Sequence, residues 1–131
     1  MVLSKTENEI GTICINAAIE IHRELGPGLL ESVYEIVLYH ELNQRGLATL
    51  RQVAVPVVYK GIVFKDAFRA DLLVEDKVVI ELKSIEQINS AHRKQIQTYL
   101  RLMDLRLGYI FNFGAGLMKD GIIRAVNGLQ E

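Results

Sequence analysis

Three observations on the sequence predict a mixed α/β domain in which helices flank a mixed central sheet. Two segments near the N-terminus repeat apolar residues every three or four positions, as amphipathic helices do. Three strand-like runs follow, separated by short polar turns. A third helical segment then leads to two more strand-like runs, which completes the order ααβββαββ.

The composition favours one domain, residues 1–131, and excludes several classes of protein. A chain of 131 residues that is 50% hydrophobic can bury one real core but is short for two. The formal net charge of −1 gives no general basic surface, so any contact with nucleic acid must be local. The single cysteine, Cys14, excludes an internal disulfide. Because no apolar run reaches the roughly 20 residues of a membrane span, we expect a cytoplasmic protein.

The first two helices are expected at residues 10–25 and 29–45. A capping box at the start of the first can come from Ser4 with Glu7 or from Thr6 with Glu9. The Gly-Pro-Gly at residues 26–28 ends it. In the second helix, Glu31 falls in the first turn, where the helix dipole favours a carboxylate. Its buried side is predicted to carry Leu30, Val33, Tyr34, Val37, Leu38 and Leu42.

The strands are expected to form an antiparallel meander followed by a helix and two closing strands. Pro56 places the first strand near a sheet edge or a bulge, because proline cannot donate to a ladder. The third helix begins at Asn89 or Ser90. The predicted ranges are strands at residues 47–60, 62–74 and 78–83, the third helix to about residue 104, and strands at 107–113 and 122–126.

Three charged side chains stand at strand positions where apolar ones would be expected, namely Asp71 in the second strand and Glu81 and Lys83 in the third. Residues that face each other in an antiparallel pair have a constant index sum. A three-residue connection at residues 75–77 would therefore set Asp71 across from Glu81, whereas a two-residue connection would put them on opposite faces. A shared function requires an odd-length connection or a bulge.

Two carboxylates directly opposite each other repel unless a cation neutralises them. Mg²⁺ or Mn²⁺ suits such oxygen ligands and completes its shell with water and phosphate oxygens. Lys83, on the same face as Glu81, is placed to orient or deprotonate a water on that ion. The pattern is that of a phosphodiester hydrolase.

A cross-strand ladder of ion pairs on a solvated sheet face explains the same charges, with Arg69 as a further member, and strand pattern alone favours it. The third helix weighs against this alternative. Gln95 and Tyr99 stand one turn apart on its otherwise apolar inward stripe, where a glutamine needs polar partners. His92 begins that stripe and either contacts a phosphate or packs.

Residues 28–34, Gly-Leu-Leu-Glu-Ser-Val-Tyr, resemble the signature of the GxxExxY protein family, which is grouped with the PD-(D/E)xK nuclease superfamily. The later Arg-Ala-Asp-Leu at residues 69–72 and Glu-Leu-Lys at 81–83 are similar to its strand motifs. Ala70 stands where the superfamily's PD motif has its proline. The resemblance implies the PD-(D/E)xK nuclease-like core. It also implies that Asp71, Glu81 and Glu31 bind the metal, with Lys83 and Gln95 as further catalytic residues and Tyr99 as a substrate-binding residue. His92, from its place on the stripe of Gln95, and Tyr34, from the face that it shares with Glu31, are expected to bind the substrate as well.

By this resemblance the chain is expected to be a Mg²⁺- or Mn²⁺-dependent nuclease, with DNA favoured over RNA as its substrate. Cutting both strands of a duplex with one small site would favour a homodimer. The alternative is a catalytically inactive nuclease fold that serves as a nucleic-acid or protein binding module, because membership of a superfamily does not guarantee catalysis.

Overall fold

The structure, a computed structural model, describes residues 4–130 and has the predicted order of elements. A short 3₁₀ turn precedes the last strand, where the sequence predicted a simple turn. The elements are α1 (Glu7–Leu25), α2 (Glu31–Gln44), β1 (Thr49–Tyr59), β2 (Ile62–Val74), β3 (Val78–Lys83), α3 (Ser90–Met103), β4 (Leu107–Asn112), the 3₁₀ turn (Met118–Gly121) and β5 (Ile122–Val126).

One mixed five-stranded sheet, ordered β1-β2-β3-β4-β5, forms the centre of the fold. The β1/β2, β2/β3 and β4/β5 pairs are antiparallel, and β3 and β4 are parallel. Helix α3 makes the crossover between the parallel pair, as parallel neighbours require. The interior strand β4 is buried along its whole length.

Two apolar clusters cover the two faces of the sheet. Helices α1 and α2 pack on one face, where the cluster includes Cys14, Leu38, Leu72 and Phe111. Helix α3 packs on the other, with Ile96 and Leu100. Cys14 is fully buried, and that burial raises the pKa of its thiol to about 12.

Local signals account for the ends of α1 and the start of α2. The capping box uses Thr6 and Glu9, one of the two predicted pairs. Helix α2 begins at Glu31, two residues later than predicted. Leu30 is its extended N-cap residue and is 74% exposed, and Val33 is 39% exposed. Their predicted burial is wrong, because this first turn projects from the loop rather than over the sheet.

The predicted register between β2 and β3 is confirmed. Leu72 pairs with Ile80 and Val74 with Val78, so the connection has three residues. This register brings Asp71 opposite Glu81. A shift between Val55 and Val57 in the edge strand β1 also confirms the bulge that Pro56 predicted.

The side chains of β2 do not alternate regularly between the two faces of the sheet. Leu72 and Val74 belong to the cluster beneath α1 and α2. Ala70, which shares their parity, belongs to the α3 cluster, and Phe68 packs against that cluster. The strand therefore changes face at Asp71. Within residues 4–130, no helix is long and apolar enough to cross a membrane.

Candidate active site

The centre of the candidate site is a pair of carboxyl groups at the point where β2 and β3 separate. The last backbone partners of this strand pair are Leu72 and Ile80. Beyond them, the Asp71 N–H donates to Glu81 Oε1 at 3.1 Å, and the Leu82 N–H donates to Asp71 Oδ2 at 2.8 Å. The two side chains thus replace backbone hydrogen bonds of the ladder.

Glu81 is buried in a way that opposes its ionisation. The residue is only 6% exposed. Burial, followed by the negative charge of Asp71, raises the pKa of Glu81 to about 9, and a hydrogen bond between the two carboxyl groups adds to this. The Lys83 ammonium acts in the opposite direction. Without a metal ion, Glu81 therefore holds a proton at neutral pH.

Lys83 lies at the end of β3 on the same face as Glu81 and is half-buried. The next residue, Ser84, donates its hydroxyl to the Leu29 carbonyl at 2.6 Å and ties this end of β3 to the loop before α2. A shallow cavity of about 360 Å³ opens here. It is lined by Pro27, Gly28, Ser84, Ile85, Glu86 and Gly114.

Helix α2 reaches the pair through Glu35, a residue that the sequence analysis missed. Glu35 is 6% exposed and forms an ion pair with Arg51 at 3.0 Å. The Gln52 carboxamide donates to Glu35 Oε1 at 2.7 Å and, more weakly, to Asp71 Oδ1 at 3.4 Å. Burial raises the pKa of Glu35, and the Asp71 charge contributes. The sequence did carry a signal for the burial of Glu35, because this residue lies three positions before Leu38 on the apolar stripe of the helix.

Glu31, the predicted third carboxylate, lies in the first turn of α2 and is exposed. Glu31 lies on the same side of α2 as Glu35 but one turn earlier, and the contacts that link α2 to Gln52 and to the Asp71 charge are made by Glu35. Gly28 has φ +106°, a conformation that favours glycine. The shape of the loop therefore accounts for the glycine in the Gly28, Glu31, Tyr34 pattern.

Tyr34 is wholly buried, so its contacts are with the core rather than with a substrate. Its ring stacks on Phe113 with 4.3 Å between centroids. Its hydroxyl donates to the Gly26 carbonyl at 2.5 Å and accepts from the Leu29 N–H at 3.2 Å. The predicted substrate-binding residue thus holds the loop that borders the site.

Replacing Tyr34 by phenylalanine is expected to lower the free energy of unfolding by about 1–2 kcal/mol, because both hydrogen bonds of the hydroxyl to the loop are lost. Urea denaturation followed by circular dichroism measures the change. Tyr39→Phe on the same helix is the control and should shift stability by less than about 0.5 kcal/mol. Equal stability of Tyr34→Phe and wild type would contradict this role of the hydroxyl.

Helix α3 brings Tyr99 over the carboxyl pair. The Tyr99 ring stacks on Phe68 with 4.2 Å between centroids, and the residue is 9% exposed. Burial, then the charges of Glu81 and Asp71, raise its pKa to about 12, so the hydroxyl keeps its proton. Gln95 lies one turn earlier and is exposed.

His92 has a structural partner. It occupies the third position of α3, where its Nδ1 accepts from the Asn89 N–H at 3.2 Å while the Asn89 side chain accepts from the His92 N–H at 3.0 Å. This reciprocal pair is a capping box with histidine in the place of the usual glutamate. The half-buried ring therefore caps the helix, and any phosphate contact is left to Nε2.

A family model described as the PD-(D/E)XK nuclease superfamily matches residues 8–125. The chain belongs to the PD-(D/E)XK nuclease superfamily. The mixed α/β fold and the order of its elements agree with this membership. No curated protein and no solved structure matches the chain.

Members of this superfamily generally use divalent metal ions. Among residues 4–130, however, no three histidine, cysteine, aspartate or glutamate side chains form a group that could hold an ion alone. The predicted set of Asp71, Glu81 and Glu31 is therefore not assembled. The Asp71 and Glu81 pair still fits Mg²⁺, which takes one or two carboxylates and keeps several waters. A cation would also neutralise the repulsion that raises the pKa of Glu81.

Proposed function

We propose that this chain is a Mg²⁺- or Mn²⁺-dependent nuclease that hydrolyses phosphodiester bonds, with DNA preferred over RNA, and that it acts in the cytoplasm. One observation carries the proposal: two carboxyl groups, Asp71 and Glu81, converge where two strands separate, with the Lys83 ammonium on the same face. Superfamily membership supports a nuclease-type activity. Assignment to the GxxExxY family within it rests on residues 28–34.

Asp71 and Glu81 are the proposed metal ligands, and Glu35 is a better candidate than Glu31 to add negative charge from α2. A bound divalent ion would neutralise phosphate charge and lower the pKa of water. Asp71 Oδ2 accepts from the Leu82 N–H and Oδ1 accepts from the Gln52 carboxamide, and an ion would take the place of the proton that Glu81 shares with Asp71. The carboxylate therefore has a set orientation before any ion arrives.

Lys83 and Tyr99 are the proposed groups that act on the substrate side of the pair. The Lys83 ammonium, close to Glu81, can orient the attacking water and offset the charge of the scissile phosphate. The Tyr99 hydroxyl, which stays protonated, can donate to a phosphate oxygen. Gln95 is exposed one turn away and is suited to a contact with the substrate.

Contact with nucleic acid has to come from a local surface, since the net charge is −1. Arg93, Lys94 and Arg101 are exposed on α3, the helix that also presents Tyr99. These three residues lie on the side of α3 that faces away from Tyr99, and we propose them as a surface that positions phosphates next to the site rather than in it. A homodimer would place two such sites for the two strands of a duplex.

The test is cleavage of double-stranded DNA, single-stranded DNA and RNA in Mg²⁺ or Mn²⁺, by wild type and Lys83→Met. We expect wild type to cleave DNA, to stop when EDTA removes the metal, and to lose about 10²-fold or more in rate in Lys83→Met. Lys119→Met, which removes an exposed lysine in the 3₁₀ turn, is the control and should keep wild-type rates. Equal rates for all three proteins would remove Lys83 from the mechanism.

One observation favours the second candidate, a binding or assembly module without catalysis. A protonated Glu81 that shares a hydrogen bond with Asp71 satisfies the pair without any cation. In that case no substrate is cleaved and calorimetric titration with Mn²⁺ gives no heat of binding. The nuclease proposal requires saturable binding.

A further inference from the structure

Gln52 adopts a conformation that strand residues avoid. Its neighbours in β1 pair with Leu72 and Ala70, so Gln52 lies directly across from Asp71. Its φ is +52°, in the left-handed region where residues with side chains are disfavoured. Such a conformation persists in a strand only when its surroundings hold it.

Three hydrogen bonds hold Gln52 in this conformation. The Arg69 guanidinium donates to the Gln52 carbonyl at 3.0 Å. The carboxamide nitrogen donates to Glu35 Oε1 at 2.7 Å and to Asp71 Oδ1 at 3.4 Å. Both carboxylates accept hydrogen bonds and cannot donate them. The NH₂ group of the carboxamide is therefore the end that contacts them, and it donates one hydrogen to each.

The distorted residue coincides with the change of face in β2. On one side of Asp71, Leu72 packs beneath α1 and α2, and on the other side Ala70 packs toward α3. The same position is where β2 leaves β3 and the Asp71 side chain takes up the Leu82 N–H. Backbone distortion, strand separation and the carboxyl pair therefore occur at one level of the sheet.

We infer that Gln52 is a positioning residue that fixes the Asp71 carboxylate for metal binding and couples it to Glu35 on α2. This inference rests on the proposed metal-dependent function. Leu82 holds Oδ2 and Gln52 holds Oδ1, so neither oxygen can rotate away without losing a hydrogen bond. Groups that orient a ligand in this way contribute to metal affinity although they do not touch the metal.

Two substitutions separate the carboxamide from the backbone conformation. Gln52→Gly removes the carboxamide and adopts a positive φ without strain, so the variant is expected to fold. Gln52→Met keeps a chain of similar length and keeps the strain, but has no donor. Asp76→Gly is the matched control, because Asp76 has φ +55° and is exposed in the turn between β2 and β3.

The readout is Mn²⁺ affinity by isothermal titration calorimetry, with circular dichroism to confirm folding. We expect both Gln52 variants to weaken Mn²⁺ binding on the order of 10-fold and Asp76→Gly to stay within about 2-fold of wild type. Wild-type affinity in either Gln52 variant would overturn the inference, since the carboxamide would then not position Asp71. Absence of Mn²⁺ binding by wild type itself would overturn the proposed function, which is a different result.

Discussion

Asp71→Asn is expected to lower the rate of metal-dependent cleavage strongly and to stabilise the metal-free protein only at a pH high enough to ionise Glu81. The substitution keeps the shape of the side chain and an oxygen that can accept from the Leu82 N–H. It removes the charge that a divalent ion needs from this position. A loss of about 10³-fold in rate corresponds to roughly 4 kcal/mol of transition-state stabilisation.

The change in stability should depend on pH, because Asp71 is one of the causes of the raised pKa of Glu81. Because a protonated Glu81 carries no charge, removing the Asp71 charge should change the free energy of unfolding in EDTA little at pH 7 and raise it by about 1 kcal/mol only near pH 9 and above, as measured by urea denaturation. Sites arranged for function commonly carry such a cost.

Asp66→Asn is the control for this prediction. Asp66 is an exposed carboxylate on the same strand, and its pairing with Arg69 at 3.3 Å should contribute little to stability. We expect wild-type cleavage and stability from it. Cleavage by Asp71→Asn at the wild-type rate, or an equal loss in Asp66→Asn, would contradict the assignment of the ligand.

The stability of the metal-free protein is expected to fall as the pH rises from about 5 to 9. The pKa of Glu81 is about 9 in the folded protein against a reference value of 4.5. Between these values the folded state holds a proton that the unfolded state has released. The contribution is fully present below the unfolded pKa and is lost as the pH rises through the folded pKa, at up to about 1.4 kcal/mol per pH unit.

Glu81→Gln isolates this contribution, because glutamine stays neutral at every pH and can donate to Asp71. The difference in free energy of unfolding between wild type and this variant, measured in EDTA from pH 5.5 to 8.5, should shift steadily in favour of the variant. Glu24→Gln, at an exposed position of α1, serves as the control and should leave the wild-type slope unchanged. A pH-independent difference between wild type and Glu81→Gln would show that Glu81 does not hold a proton.

The same proton links metal binding to pH. A divalent ion binds the ionised carboxylate, so Mn²⁺ must displace the proton from Glu81. We therefore expect Mn²⁺ to raise the melting temperature more at pH 8.5 than at pH 6. Calorimetry at pH 7 in two buffers that differ in ionisation enthalpy should report release of about one proton per ion bound. Binding without proton release would contradict a neutral Glu81.

The elements and the register were predictable because their signals are local. Apolar periodicity located α1, α3 and the strands to within a few residues, and the three-residue turn at 75–77 was enough to bring Asp71 opposite Glu81. Pro56 indicated the bulge in the edge strand. Short motifs with their order along the chain indicated the superfamily.

The contacts of single polar side chains were not predictable in the same way. The Glu31 position matched a motif, but which turn of α2 reaches the sheet depends on the angle at which the helix packs, and this turn carries Glu35. Tyr34 and His92 were expected to contact the substrate, but each forms a hydrogen bond with a residue nearby in the chain. Side chains with several donors or acceptors have many local options, and packing selects among them.

The sequence by itself determined which residue types could meet at one level of the sheet: Asp71, Glu81 and Lys83, through strand period and turn length. Only the tertiary structure decided how they meet. A left-handed Gln52 cannot be inferred from strand pattern, because its conformation is held by Arg69, Glu35 and Asp71, which come from the neighbouring strand and a helix. Burial likewise set the charge of Glu81, since a pKa depends on what surrounds the carboxyl group and not on its neighbours in the chain.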